Sequence, residues 1–159
     1  MTVLVDSTPL ISLSAIGRFN LLKELYNRLL IAPAVYHEVV AQGQGRPGAA
    51  DVTNAAWIET HAIAPSASQI ALPNLGKGEA ETIILAGQLS ADLVIIDEIA
   101  ARRELANLSI RVIGSVGVLQ QAKLRNLIPA LKPELDALRR GGFHLSHRIY
   151  RAVLAAVGE

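Results

Sequence analysis

Two short apolar runs, far apart in the chain, end in the same way. Val3-Leu-Val5 stops at Asp6, and Leu93-Val-Ile-Ile96 stops at Asp97. Continuous apolar runs of this length suit strands buried on both faces, as in a parallel sheet covered by helices. Each aspartate then stands at the carboxyl end of a strand, the edge where open α/β sheets bind ligands. After Asp6, Ser7 or Thr8 can cap a following helix, with Pro9 tolerated in its first turn. An aspartate in this place is either a helix cap or a metal or catalytic carboxylate. The choice turns on whether other acids reach the same edge.

The remaining segments fit that frame. The stretch 10–25 reads as two short helices broken at Gly17, and Leu29–Ala32 as a second buried strand. Pro33 opens a helix carrying Val35, Glu38 and Val39. Gln42–Gly48 is a glycine-rich exposed loop, 51–56 a short helix, 57–63 an edge strand and 65–74 a polar loop. Helices are predicted over 79–89, 99–107, 116–124, 133–140 and 146–157, with a strand at 110–113 ending at Gly114-Ser115. Strands alternating with helices imply one α/β domain spanning 1–159, a parallel sheet with helices on both faces.

Composition narrows the function. The chain has 159 residues, 51% hydrophobic and 18% charged, which excludes disorder and supports a real core. No apolar run approaches the roughly 18 residues of a membrane span, and no basic leader with a cleavable apolar core is visible. There is no cysteine, so thiolate metal sites and nucleophiles are out, and a reducing cytoplasm fits. A net charge of +1 means that any nucleic-acid contact must come from a local patch.

Two further acidic signals accompany Asp6 and Asp97. Glu38 interrupts the Val35/Val39 stripe on a packed helix, so it points toward a shared polar cleft. Glu79 and Glu81 open the helix after Gly76-Lys-Gly78; at i and i+2 they do not share a face, and one points inward. Their simpler explanation is the helix dipole, which favours acids in a first turn. Clustered carboxylates in a partly buried cleft need a counter-charge. Oxygen-only ligands with no Cys and no paired His favour Mg²⁺ or Mn²⁺ over Zn²⁺. Such a site suits attack of water on a phosphodiester.

Other phosphate chemistries fit worse. No G-x-G-x-x-G follows the first strand, Gly76-Lys77 lacks a P-loop frame, and Thr8 stands where a haloacid-dehalogenase-like phosphatase has its second aspartate. His144 and His147 read as loop and helix start rather than a zinc pair. A receiver domain would want adjacent N-terminal acids and a late-strand lysine, where this chain has Ser115.

In order, Val5-Asp-Ser7, Pro33-Ala-Val-Tyr-His-Glu-Val39, Gly76-Lys-Gly-Glu-Ala-Glu81 and Ile95-Ile-Asp-Glu-Ile-Ala-Ala-Arg102 resemble the PIN-domain nucleases, in particular the DUF3368 branch. The likeness continues through Gly114-Ser-Val-Gly-Val-Leu119 to Gly142-Phe-His-Leu-Ser146 and Tyr150. It implies a three-layer α/β/α fold with a central parallel sheet, and an endoribonuclease dependent on Mg²⁺ or Mn²⁺. It also implies the toxin half of a toxin–antitoxin pair, with RNA as substrate and a cognate antitoxin as partner. By motif, Asp6, Glu38, Glu79 and Asp97 are the catalytic and metal-binding acids. Glu81 is kept beside Glu79 because both acids of a similar Glu-Ala-Glu serve metals in flap endonucleases. Ser7, Ser115 and Arg102 are the substrate-side candidates. The rival reading is a PIN fold without useful turnover, acting as an RNA-binding or scaffold subunit.

The resemblance also implies a homodimer. Leu10, Leu13, Leu21, Leu22 and Leu25 on the early helices are expected to offer its apolar patch, with Arg46, Arg102 and Arg103 on a basic rim.

Overall fold

The computed structural model describes residues 1–65, 72 and 74–159. The strands are β1 (Val3–Val5), β2 (Leu29–Ile31), β3 (Ile58–Thr60), β4 (Leu93–Ile95) and β5 (Arg111–Ile113). They form one parallel sheet in the order β3-β2-β1-β4-β5. The three inner strands are buried along their whole length, as their uninterrupted apolar sequences require. The register pairs Val5 with Ile95 and Leu4 with Leu30, so the segments following β1, β2 and β4 emerge side by side. The loop expected over 65–74 lies, at 66–71 and 73, outside the described residues.

Nine α-helices appear among the described residues. These are α1 (Ser7–Ala15), α2 (Leu21–Tyr26), α3 (Pro33–Tyr36), α4 (Ala49–Asn54), α5 (Lys77–Leu89), α6 (Ile99–Asn107), α7 (Ser115–Leu124), α8 (Lys132–Arg140) and α9 (His147–Ala156). Helices α1 and α2 pack on α7, while α5 packs on α3 and α6, giving the three-layer α/β/α arrangement. Gly17, at φ +74°, takes the left-handed conformation that separates α1 from α2. Helix α1 starts at Ser7, earlier than periodicity suggests, so Ser7 lies inside the helix and Asp6 occupies the cap position.

The early-helix patch does not exist. Leu10, Leu13 and Leu22 are fully buried and Leu21 nearly so, and Leu25 packs half-buried against the same core. The sequence shows their apolar surplus but not that α7 covers it. Tyr36 and His37, which precede Glu38 in the sequence, are both exposed.

One polar pair ties the carboxyl-terminal helices to this frame. Arg18, just after α1, donates through Nε (2.9 Å) and a terminal nitrogen (2.5 Å) to Oε1 of the buried Glu134 on α8. Two charge-assisted bonds to one buried carboxylate satisfy a group that would be costly alone.

Candidate active site

Asp6, Glu38, Glu79, Asp97 and Ser115 all lie at the carboxyl-terminal edge of the sheet. Asp6 follows β1, Glu38 follows β2 through α3, Glu79 opens α5, Asp97 lies two residues past β4, and Ser115 begins α7 after β5. Glu38 is carried on a π-helical turn, His37–Ala41, that continues α3. A π turn shifts the hydrogen-bond register and re-aims its side chains, a device common at functional sites.

Asp6 is the acid without a structural task. It stands at the cap position of α1 yet makes no side-chain cap bond, and its backbone N–H completes the sheet by donating to Ile95 O at 2.9 Å. Its side chain is buried, and Oδ1 has no hydrogen-bond partner. Burial pushes its pKa from 3.8 to about 7; the neighbouring Ser7 amide pulls it down, and the charges of Glu79, Glu38 and Asp97 push it further up. The influence of three distant-in-sequence acids on one carboxyl shows that they share a cleft.

Glu38 and Asp97 are held by helix N-termini contributed from elsewhere. Glu38 accepts from the Gly78 amide (Oε1, 3.0 Å) at the start of α5 and from the Ser7 hydroxyl (Oε2, 2.6 Å). Asp97 accepts from the Ser115 amide (Oδ1, 2.8 Å) and hydroxyl (Oδ2, 2.6 Å) at the start of α7. Burial raises the Asp97 pKa, against the lowering effect of the Ser115 bonds and of the Arg102 charge. Glu79 is half-buried, and its side chain makes no hydrogen bond with another described residue.

Two glycines make room for these carboxylates. A Cβ at Gly78 would lie 2.6 Å from Glu38 Oε2, and one at Gly114 would lie 2.5 Å from Asp97 Oδ1. Sequence reading treats Gly76-Lys-Gly78 as a helix start and overlooks this packing. The close approach of backbone to carboxylate is a property glycine alone permits.

The remaining candidates divide. Ser7 serves Glu38 rather than Asp6. Arg102 is half-buried and acts on Asp97. Glu81 has a different partner: its Oε1 accepts from the Ala34 amide at 2.9 Å, anchoring the start of α3, and it is not among the acids that raise Asp6. Of the two acids kept as metal candidates, Glu79 acts on Asp6 and Glu81 is engaged at the start of α3. The i, i+2 argument foresaw the split between Glu79 and Glu81 but not the anchoring role. Glu98 is exposed, as a solvated helix-start acid should be.

A divalent cation fits this donor set. The donors are carboxylates, the buried Asp6 Oδ1 is orphaned, and the glycine cradles hold Glu38 and Asp97 against the cleft. The side chains are not closed around a common point, however: among the described residues no three His, Asp or Glu side chains form a group that could hold a metal ion as they stand.

No curated protein matches the chain. Among solved structures, it is similar to a PilT N-terminus domain protein from the hyperthermophilic archaeon Sulfolobus solfataricus P2. The TM-score is 0.52 at 16% identity, over 77% of this chain and 93% of that one, a likeness of fold. The family model for DUF3368, described as a PIN domain, matches residues 2–159. PIN domains are in general nucleases and typically depend on divalent metal, which supports a nuclease-type function. The chain belongs to the DUF3368 family of PIN domains.

Proposed function

We propose that the protein is a Mg²⁺- or Mn²⁺-dependent endoribonuclease whose working acids are Asp6, Glu38, Glu79 and Asp97. The observation that carries this reading is Asp6: a buried carboxyl with an orphaned oxygen, a pKa near 7 and three acids acting on it. A buried polar group without a partner is costly, and such perturbed groups cluster at functional sites. The four acids would hold the cation, with Asp6 Oδ1 as its central ligand.

When bound, the cation supplies charge neutralisation and a water acidified enough to attack phosphorus. The chain's own residues do the rest. The Gly78 amide and Ser7 hydroxyl orient Glu38, and Ser115 orients Asp97. Arg102, beside Asp97, offers a positive charge to the phosphate. In the reaction a water oxygen bonds to phosphorus, the bond to the leaving sugar oxygen breaks, and that oxygen takes up a proton. The test is cleavage of a labelled RNA with and without Mg²⁺ or Mn²⁺. Cleavage that needs the metal and is lost in Asp6→Asn supports the reading.

A second reading, an RNA-binding or scaffold subunit without useful turnover, is favoured by the open arrangement of the carboxylates. Metal-independent RNA binding with no cleavage would select it. The resemblance further supports a toxin role with a cognate antitoxin. Growth arrest on expression, absent in Asp6→Asn and relieved by the partner, tests that. A homodimer belongs to the same proposal, but its contact must use faces other than the buried early leucines. Light scattering at tens of micromolar decides it. Among the described residues no helix is long and apolar enough to cross a membrane.

A further inference from the structure

Helices α3 and α5 both begin without a cap of their own. Their cap positions are Ala32 and Gly76, neither of which has a side chain able to accept a hydrogen bond. Pro33, the first residue of α3, has no N–H, so the first free amide of that helix belongs to Ala34, which is buried. A buried helix amide left without an acceptor is costly. Each helix is completed by an acid of the other. Glu81, in α5, accepts from the Ala34 amide through Oε1 at 2.9 Å. Glu38, four residues past Ala34, accepts from the Gly78 amide through Oε1 at 3.0 Å. The helix dipole strengthens such charge-assisted bonds to first-turn amides.

The two bonds act on one short segment, because α3 runs directly into the π turn that carries Glu38. Gripped at Ala34 by Glu81 and at Glu38 by Gly78, this segment cannot slide or roll on α5 without breaking a bond. Glu38 itself has no slack. The Ser7 hydroxyl of α1 holds its Oε2 at 2.6 Å, and the carboxylate lies so close to Gly78 that no methyl group fits between them. Metal coordination tolerates distance errors of about 0.2 Å, so the seating of α3 decides whether Glu38 can serve a cation. The charge of Glu81, by contrast, is directed at the start of α3.

Resting on the metal-site reading above, we propose that Glu81 is a positioning residue for Glu38. The reciprocal bonds, Glu81 to Ala34 and Glu38 to Gly78, form a clasp that seats α3 on α5 and holds Glu38 at the reach a cation needs. The clasp requires of Glu81 an acceptor oxygen and not a charge, which separates this role from that of a ligand. Both acids of Glu79-Ala-Glu81 then serve the cation, Glu79 from the cleft and Glu81 through Glu38.

The test joins calorimetric titration with Mn²⁺ to amide exchange in chelator, followed by NMR. Glu81→Ala should weaken Mn²⁺ binding by about tenfold, as losing an outer partner of a metal ligand does, and Glu81→Gln should restore it. In a Glu38→Gln background Glu81→Ala should cost no further affinity, because it acts through Glu38. In chelator, Glu81→Ala should speed exchange at the Gly78 amide by about tenfold along with that of Ala34, although the acceptor of Gly78 is untouched. Arg18→Ala, which loosens α8 instead, should leave Mn²⁺ affinity intact and measures how much exchange comes from lost global stability. A Glu81→Gln protein as weak as Glu81→Ala makes Glu81 a ligand and overturns the proposal. So does Mn²⁺ affinity indifferent to Glu81→Ala, or an undiminished loss in the Glu38→Gln background. A wild type that binds no Mn²⁺ while the two amides exchange together would sink the metal reading alone; Mn²⁺ binding with a Gly78 amide that does not follow Ala34 would sink the clasp alone.

Discussion

Neutralising Asp6 should stabilise the metal-free protein, and the gain should depend on pH. In the unfolded chain Asp6 ionises near 3.8; in the fold its pKa is about 7. The fold therefore holds the proton more tightly. Below pH 3.8 the carboxyl is protonated in both states and costs nothing. As pH rises from about 4 to 7 the unfolded state ionises first, and stability falls by about 1.4 kcal/mol per pH unit. Above 7 both states are ionised and the loss is complete at about 4 kcal/mol. Asp6→Asn removes this dependence, and its amide can donate to the neighbouring carboxylates. For a chain of this size the difference amounts to about 8–16 °C in melting temperature, an upper bound because water entering the cleft relieves part of it. The assay is thermal or urea unfolding of both proteins in chelator from pH 4 to 8. The curves should nearly meet at pH 4 and separate steadily up to pH 7, with the variant above. Parallel curves, or a variant less stable at pH 7.5, would refute the burial argument for Asp6.

Further outcomes follow from the contacts around the cleft. Glu81→Gln should leave Mn²⁺ affinity unchanged, because its amide oxygen can still accept from Ala34, whereas Glu81→Ala should lose about 1 kcal/mol of stability; a Gln variant that no longer binds Mn²⁺ would return Glu81 to the ligand set. Gly78→Ala places a methyl 2.6 Å from Glu38 Oε2 and should weaken Mn²⁺ binding by about tenfold without lowering stability, read by calorimetric titration and a melting curve. Arg18→Ala strands the buried Glu134 and should cost about 1–3 kcal/mol in urea unfolding, with RNA cleavage retained at temperatures where the variant is folded.

The strands were legible because burial on both faces leaves an uninterrupted apolar run. Val3–Val5 is found as read, and Leu93–Ile95 within one residue of it. Helix α6 is found at the predicted bounds. The convergence of Asp6, Glu38 and Asp97 on one edge also followed from strand ends in a parallel sheet. What could not be read were facts of tertiary contact. The π turn under Glu38 is a one-residue change in hydrogen-bond register that no side-chain period encodes. Glu81 and Glu79 look alike in sequence, and only the docking of α3 on α5 separates an anchor from a cleft acid. The early leucines looked surplus because the helix that covers them, α7, arrives ninety or so residues later.

The most direct test of the site is to see where a cation goes. Crystals soaked in millimolar Mn²⁺ should show an anomalous peak within bonding distance of Asp6 Oδ1, with Glu38, Glu79 or Asp97 completing its ligands. Asp6→Asn crystals should lose it. A peak away from this edge of the sheet, or none in the wild type under conditions that support RNA cleavage, would contradict the four-acid metal site.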